Sequence, residues 1–206
     1  MDFLQNLNDS RLQQITTPVE ITPAIIDFCK SIDPSQEPVF LDVPALNESN
    51  RFRVGECHFN AHAFTDGAGG SVAYGWIIWE RLDMYLDAEF HSVWVNPVSD
   101  ELRDVTPQGD EESHILFMRD SAGSYDLELQ PYVKNRRKAL REDSQIQDYL
   151  ELMDKFHELG RTAWGGMRSA IEQDDVARLR AVRRAMERCK NEIRTIIAGD
   201  SPAEEV

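Results

Sequence analysis

Three residues carry the chemistry that this sequence suggests. Cys57 lies in Gly55-Glu56-Cys57-His58-Phe59-Asn60-Ala61, at what reads as the start of a helix. His91 lies in a strand-like run, Ala88-Glu89-Phe90-His91-Ser92-Val93-Trp94-Val95, and Asp104 in a second one, Glu101-Leu102-Arg103-Asp104-Val105-Thr106-Pro107. A thiol attacks a carbonyl only as the thiolate, and an ordinary cysteine, with a pKa of about 8.5, is mostly protonated at neutral pH. A helix N-terminus and an adjacent imidazolium both favour the charged form. First-turn N–H groups also donate to an oxyanion. His91 is the expected base and acid for the thiol proton, and Asp104 the group that fixes its tautomer. If the three converge, the chemistry is acyl transfer through a thioester on Cys57.

Neighbouring residues widen the candidate site. Asn60 stands about one helical turn after Cys57 and Glu89 shares a strand face with His91. Trp76 and Trp94 fall in strand-like segments where they wall an acyl-binding groove or, as aromatics in strands more often do, fill a core. Each member of the triple also has a plain structural reading. Cys57 reads as a small buried apolar residue, which suits Cys29 and Cys189 better because both lie on apolar helical faces. His91 reads as a satisfied core histidine, Asp104 as a strand-end residue bonded to Thr106, and Glu89 as a solvated acid. A metal reading takes Cys57, His58, His62 and His91 as a zinc set. No second cysteine lies nearby to support it, and the reading adopted is that no cofactor is required.

Placing those residues requires a helix opening at Cys57 and strands that carry His91 and Asp104. Residues 57–66 read as that helix, ended by Gly67-Ala68-Gly69-Gly70. Ser71–Glu80, Asp87–Asn96 and Glu101–Val105 are rich in β-branched and aromatic residues. Asn96-Pro97-Val98-Ser99-Asp100 supplies turn chemistry between the last two, so a hairpin sets His91 beside Asp104. Upstream, Phe3, Leu4, Leu7, Leu12 and Ile15 form a short helical candidate. Thr22 and Pro23 open a helix over residues 24–31, and Val39–Val43 reads as a short strand. Beyond residue 143 the period becomes helical. Ile146, Tyr149, Leu150, Met153, Phe156 and Leu159 form one stripe, and Val176, Leu179, Val182, Met186, Cys189, Ile193 and Ile196 another. Gly160 and Gly165-Gly166 interrupt or end the first. The expected organisation is an α+β core over residues 1–143, a helical hairpin over 144–198 and a frayed tail over 199–206.

Composition bounds the function classes. The chain has 206 residues, 41% of them hydrophobic, which supports a core. The net charge is −15 and the pI about 4.7, which argues against binding nucleic acid or an anionic membrane surface. No apolar run is long enough to span a bilayer. Met1-Asp2-Phe3-Leu4-Gln5-Asn6 lacks the basic start and apolar stretch of a secretory signal. Three scattered cysteines are not a disulfide framework, so a reducing cytoplasm is the expected compartment. Two basic runs, Lys134–Lys138 and Arg178–Arg194, read as solvated faces. The sharper reading is docking to an acidic partner or to the acidic body of this chain, and the C-terminal helices also offer a homodimer interface.

The order Cys, then His on a strand, then Asp on the next strand resembles the transglutaminase-like branch of the papain-like cysteine enzymes. The matching stretches are Gly55-Glu56-Cys57, His91-Ser92-Val93-Trp94 and Asp104-Val105-Thr106-Pro107. The chain is also similar to small bacterial proteins of uncharacterised activity that share a Cys-His-x-Asn start, a Gly-Trp strand and an Asp-Val-Thr-Pro ending. The resemblance covers about residues 39–107. It implies an antiparallel sheet with a nucleophile-bearing helix and a Cys57-His91-Asp104 triad, and it leaves the substrate open; the expected substrate is a peptide or protein side-chain amide, with water or an amine as acceptor. Two departures stand out. Trp94 comes one position later than the family's His-Ala-Trp, and a second oxyanion donor cannot be picked out. The contrasting reading is a non-catalytic interaction module on the same scaffold.

Overall fold

A computed structural model describes residues 15–45, 52–109, 112–164 and 173–199. Apart from Ile15, the helix expected near the N-terminus lies outside the described residues, as does the tail beyond Gly199. The chain clusters into two units. One comprises Ile15–Arg81 and Leu86–Lys138; the other, Leu82–Tyr85 with the described residues from Ala139 onward.

The first unit is an α+β body. Helix α1, Pro23–Ile32, starts where Thr22 accepts a hydrogen bond from the Ile25 N–H and Pro23 presets the first turn. It buries Ile25, Phe28 and Cys29. At its end Asp33 ties the helix to the loop at Ser121, accepting from both the N–H and the hydroxyl of Ser121 and of Ser35. Strand β1, Val39–Asp42, leads to helix α2, Cys57–Ala68. Strands β2, Ser71–Arg81, and β3, Tyr85–Val95, follow as a hairpin. Strand β4 is only Leu102–Arg103, so Asp104 lies one residue beyond it. Strands β5, His114–Arg119, and β6, Arg136–Ala139, complete the sheet.

The sheet order is β1-β5-β2-β3-β4, with β6 also on β3. The pairings are antiparallel: Leu41↔Ile115, Ile77↔Phe117 and Trp94↔Arg103 mark the registers of β1 with β5, β2 with β5, and β3 with β4. Successive strand residues face opposite ways. On one face Leu41, Ile77, Trp79, Val93, Ile115 and Phe117 form the core cluster. On the other, Trp94 packs with Val105 and with Ala61 of α2, and Phe52, Phe64 and Val72 close around them. The Trp94 indole also donates to the Gly69 carbonyl at 2.7 Å, fixing the far end of α2 against β3.

Strand β5 was not anticipated. Its burial pattern is continuous over Ile115–Met118, with no alternation, because side chains on both of its faces are covered. A short apolar run of this kind carries no period to read. Strand β6 hides inside the basic run: Arg137 turns inward to Asp87 at 3.0 Å, with both side chains buried.

In the second unit, α3, Ser144–Trp164, passes through Gly160 without a break. It packs along α4, Gln173–Gly199. Ile146, Tyr149 and Leu150 meet Ile193, Met84 and Tyr85 in one cluster, so the start of α3 lies beside the end of α4. No helix among the described residues is long and apolar enough to cross a membrane.

Candidate active site

The entry to α2 is set by Gly55. Its φ of +76° is a left-handed conformation that side chains resist, and it turns the chain so that Cys57 becomes the first helical residue. Glu56 occupies the cap position without a side-chain cap bond and lies 3.6 Å from the Arg53 guanidinium instead. The first helical bond runs from the Asn60 N–H to the Glu56 carbonyl at 2.9 Å, so the N–H groups of Cys57, His58 and Phe59 precede the ladder. The positive end of the helix dipole therefore lies at the sulfur.

His91 arrives from β3, on the face of the core cluster, with its ring edge-on to Phe117 at 6.4 Å. Its Nε2 lies 3.2 Å from Asp104 Oδ2. The other carboxylate oxygen, Oδ1, accepts the Thr106 N–H at 2.9 Å. Asp104 is thus held by its own chain and aimed at the imidazole, which explains the Asp-Val-Thr spacing in physical terms. Nε2 being taken, Nδ1 is the ring nitrogen that remains for the sulfur. Cys57, His91 and Asp104 are 9%, 4% and 1% exposed.

Electrostatics couples them. Burial is the strongest influence on the Cys57 thiol and pushes it up. The charge and hydrogen bonding of His91 and His58 together outweigh burial and bring the thiol down to about 6. Burial also works against a charged His91, but Asp104 and Cys57 overcome it and hold the imidazole well above its ordinary value. The stable form at neutral pH is a thiolate–imidazolium pair.

The remaining candidates occupy other positions. Asn60 is buried and fully spent as a clamp. Its amide donates to the Arg53 carbonyl at 2.8 Å and to Thr106 Oγ1 at 3.2 Å, and its oxygen accepts the Arg53 N–H at 3.3 Å. It joins the loop before Cys57 to the segment after Asp104. Glu89 accepts the Trp79 indole N–H at 3.0 Å. Trp76 is buried, donates to Asp120 at 2.9 Å and meets Phe90 edge-on. Trp94 is part of the packing between α2 and the sheet. His62 pairs with the Tyr74 hydroxyl at 2.8 Å. Among the described residues no group of three or more His, Cys, Asp or Glu side chains is arranged to hold a metal ion.

Sequence reasoning overlooked three contributors. His58, considered only as a zinc ligand, contacts the thiol and is bonded through Nδ1 to Ser92 Oγ. Its ring stacks on Tyr125, with centroids 3.6 Å apart. His58 and Ser92 are the chain neighbours of Cys57 and His91, a signal that was available. Tyr125 lies in a distant loop and had none. A cavity of about 790 Å³ between β1 and β4 reaches Asp104 and Trp94 but includes neither Cys57 nor His91.

Comparisons with family models, curated proteins and solved structures give no match to this chain.

Proposed function

We propose that this protein is a cysteine acyl-transfer enzyme working through a Cys57 thioester, with amide hydrolysis, of the peptidase or deamidase type, as the reaction. The observation that carries the reading is a buried thiol at the first residue of a helix, held as thiolate by an imidazole that a buried carboxylate orients. The chain order of helix-borne Cys, strand-borne His and hairpin-linked Asp supports a papain-like core of the transglutaminase type.

The Cys57 sulfur attacks the amide carbonyl carbon, forming the C–S bond and an oxyanion beside the first-turn N–H groups of α2. The oxyanion collapses, the C–N bond breaks, and the leaving amine takes the proton of the His91 imidazolium. Water then gives a proton to neutral His91 while its oxygen attacks the thioester. The C–S bond breaks and its electron pair returns to the sulfur, regenerating thiolate and imidazolium. Asp104 keeps the ring in one tautomer and orientation.

The test is acylation by p-nitrophenyl acetate. A burst of about one nitrophenolate per chain is expected, with an acetyl group on the peptide that contains Cys57. Cys57→Ala abolishes both. Loss of the burst in wild-type protein, with no acyl group on Cys57, removes the reading. Added methylamine then distinguishes acceptors: methylamide product would replace hydrolysis by amine transfer.

A further inference from the structure

The thiol centre contains a second imidazole that the triad does not use. His58 sits in the first turn of α2, next to Cys57, and three groups fix its ring. Nδ1 bonds Ser92 Oγ, a fully buried hydroxyl on β3. Tyr125 stacks on one face, with planes 18° apart, and Phe90 closes from the side at 5.6 Å. Ser92 and His91 are consecutive residues of β3, and both His91 and the ring that Ser92 holds act on the thiol. Strand β3 therefore addresses one sulfur twice, directly through His91 and indirectly through Ser92 and His58.

We infer that His58 is a catalytic hydrogen-bond donor to the Cys57 sulfur, oriented by Ser92 and Tyr125 and separate from the base His91. This inference rests on the proposed thiol chemistry. With Nδ1 bonded to the Ser92 hydroxyl, Nε2 is the nitrogen left to carry a proton toward the sulfur. The donor then acts at two moments. It stabilises the thiolate before attack, and it receives the sulfur when the C–S bond breaks and the electron pair returns there. His91 is meanwhile free to take the proton of the incoming water. A single imidazole performing both tasks would have to hold its proton for the sulfur and accept one from water in the same step.

The titratable groups that face the sulfur are His91 from β3, His58 from its own helix and Tyr125 from the loop after β5, with Asp104 behind His91. Burial and the sulfur's charge both raise the Tyr125 phenol, so it stays neutral across the working range. Removal of His58 leaves burial opposed by His91 alone.

The experiment is the pH profile of thiol–disulfide exchange at Cys57 with a dipyridyl disulfide, in a Cys189→Ser background. His58→Phe keeps a ring for Tyr125 and loses the donor; its midpoint is expected about one unit above the parent. His58→Gln restores a donor that cannot titrate and brings the midpoint most of the way back. The acetyl-enzyme of His58→Phe also breaks down more slowly than that of His58→Gln. Coincident midpoints for His58→Phe and the parent overturn the inference, and so does equal displacement in His58→Phe and His58→Gln. Should His58→Phe fail to fold, Ser92→Ala leaves the ring and removes its orienter. A smaller upward shift supports the inference and an unmoved midpoint overturns it. A parent midpoint near the ordinary thiol value would instead sink the acyl-transfer reading itself.

Discussion

His91→Ala gives the most discriminating test of the thiol centre. It removes the largest single influence that lowers the thiol, yet leaves the burial that raises it. The chain carries its own reference for that burial. Cys29, buried in α1 with no imidazole acting on it, is pushed up to about 11. The variant thiol, opposed now only by His58, should therefore rise to roughly 9, past the ordinary value rather than back to it. At pH 7 the ionised fraction falls from about 90% to about 1%. The rate falls much less, because a more basic thiolate is more nucleophilic: a Brønsted slope of about 0.4–0.5 over three units gives a gain of roughly 20-fold.

The consequence is a crossing. At pH 6 the parent should exchange with a small disulfide roughly 25-fold faster than His91→Ala, at pH 7 about fivefold faster, and above about pH 8 the variant should overtake it. Stopped-flow exchange with a dipyridyl disulfide, on protein carrying Cys189→Ser, reads both limbs. A purely structural Cys57 predicts parallel curves that never cross. A midpoint displaced by less than about half a unit would refute the electrostatic account of the site.

Three further perturbations test the scaffold. The Asp33 carboxyl lies well below the usual carboxylate range because Ser121 and Ser35 donate to it. Its contribution is present above the unfolded carboxyl value and is lost as pH falls through the lower folded value. The Tm difference between parent and Asp33→Asn should thus be constant above about pH 5 and shrink on acidification; a difference that grows in acid contradicts this. Arg137→Met leaves Asp87 buried with only the Asn135 amide of its two named partners, and should cost about 3–5 kcal/mol in urea unfolding. Asp87→Leu added to it should recover most of that, whereas a single-variant cost under about 1 kcal/mol would show the pair to be dispensable. Gly75→Ala places a methyl 2.1 Å from the Met118 carbonyl oxygen, where β2 meets β5. A loss of about 2–3 kcal/mol is expected, and an unchanged Tm would mean the two strands separate freely.

The parts of this fold with a period or a punctuation mark were legible in the sequence. Thr22-Pro23 opened α1, Gly69 and Gly70 closed α2, and the β3–β4 turn set His91 near Asp104. Strand β5 was illegible because burial on both faces erases alternation, and β6 because a salt bridge turned one residue of a basic run inward. The same asymmetry holds at the site. Residues whose chemistry is local, such as the Asp104–Thr106 bond, could be read from spacing. Tyr125 could not, since only the tertiary fold brings residue 125 over the ring of His58. Asn60 was read as a cleft residue because it follows Cys57 by one turn, yet its amide is spent on Arg53 and Thr106. Helical spacing gives direction, but it does not tell a substrate from a neighbouring loop.

Burial alone does not distinguish a reactive cysteine from a structural one here. Cys29 and Cys57 are both buried, yet the first is pushed up to about 11 and the second drawn down to about 6. The half-buried Cys189 is raised as well, by burial and then by the acids Glu192 and Asp148. What separates Cys57 is what its surroundings are made of. Desolvation penalises a thiolate in either place, but in a site of low dielectric the partners of Cys57 act more strongly and outweigh that penalty. The same reasoning applies to His91, whose charge would be costly in that environment without Asp104. The charges of Cys57 and His91 support one another, and Asp104 is the strongest support of the imidazolium. Asp104→Asn therefore acts at a distance. It lowers His91 first and raises Cys57 in consequence, a displacement of the thiol by a residue that does not contact it. An exchange profile for Asp104→Asn that coincides with the parent would break that chain of dependence at its first link.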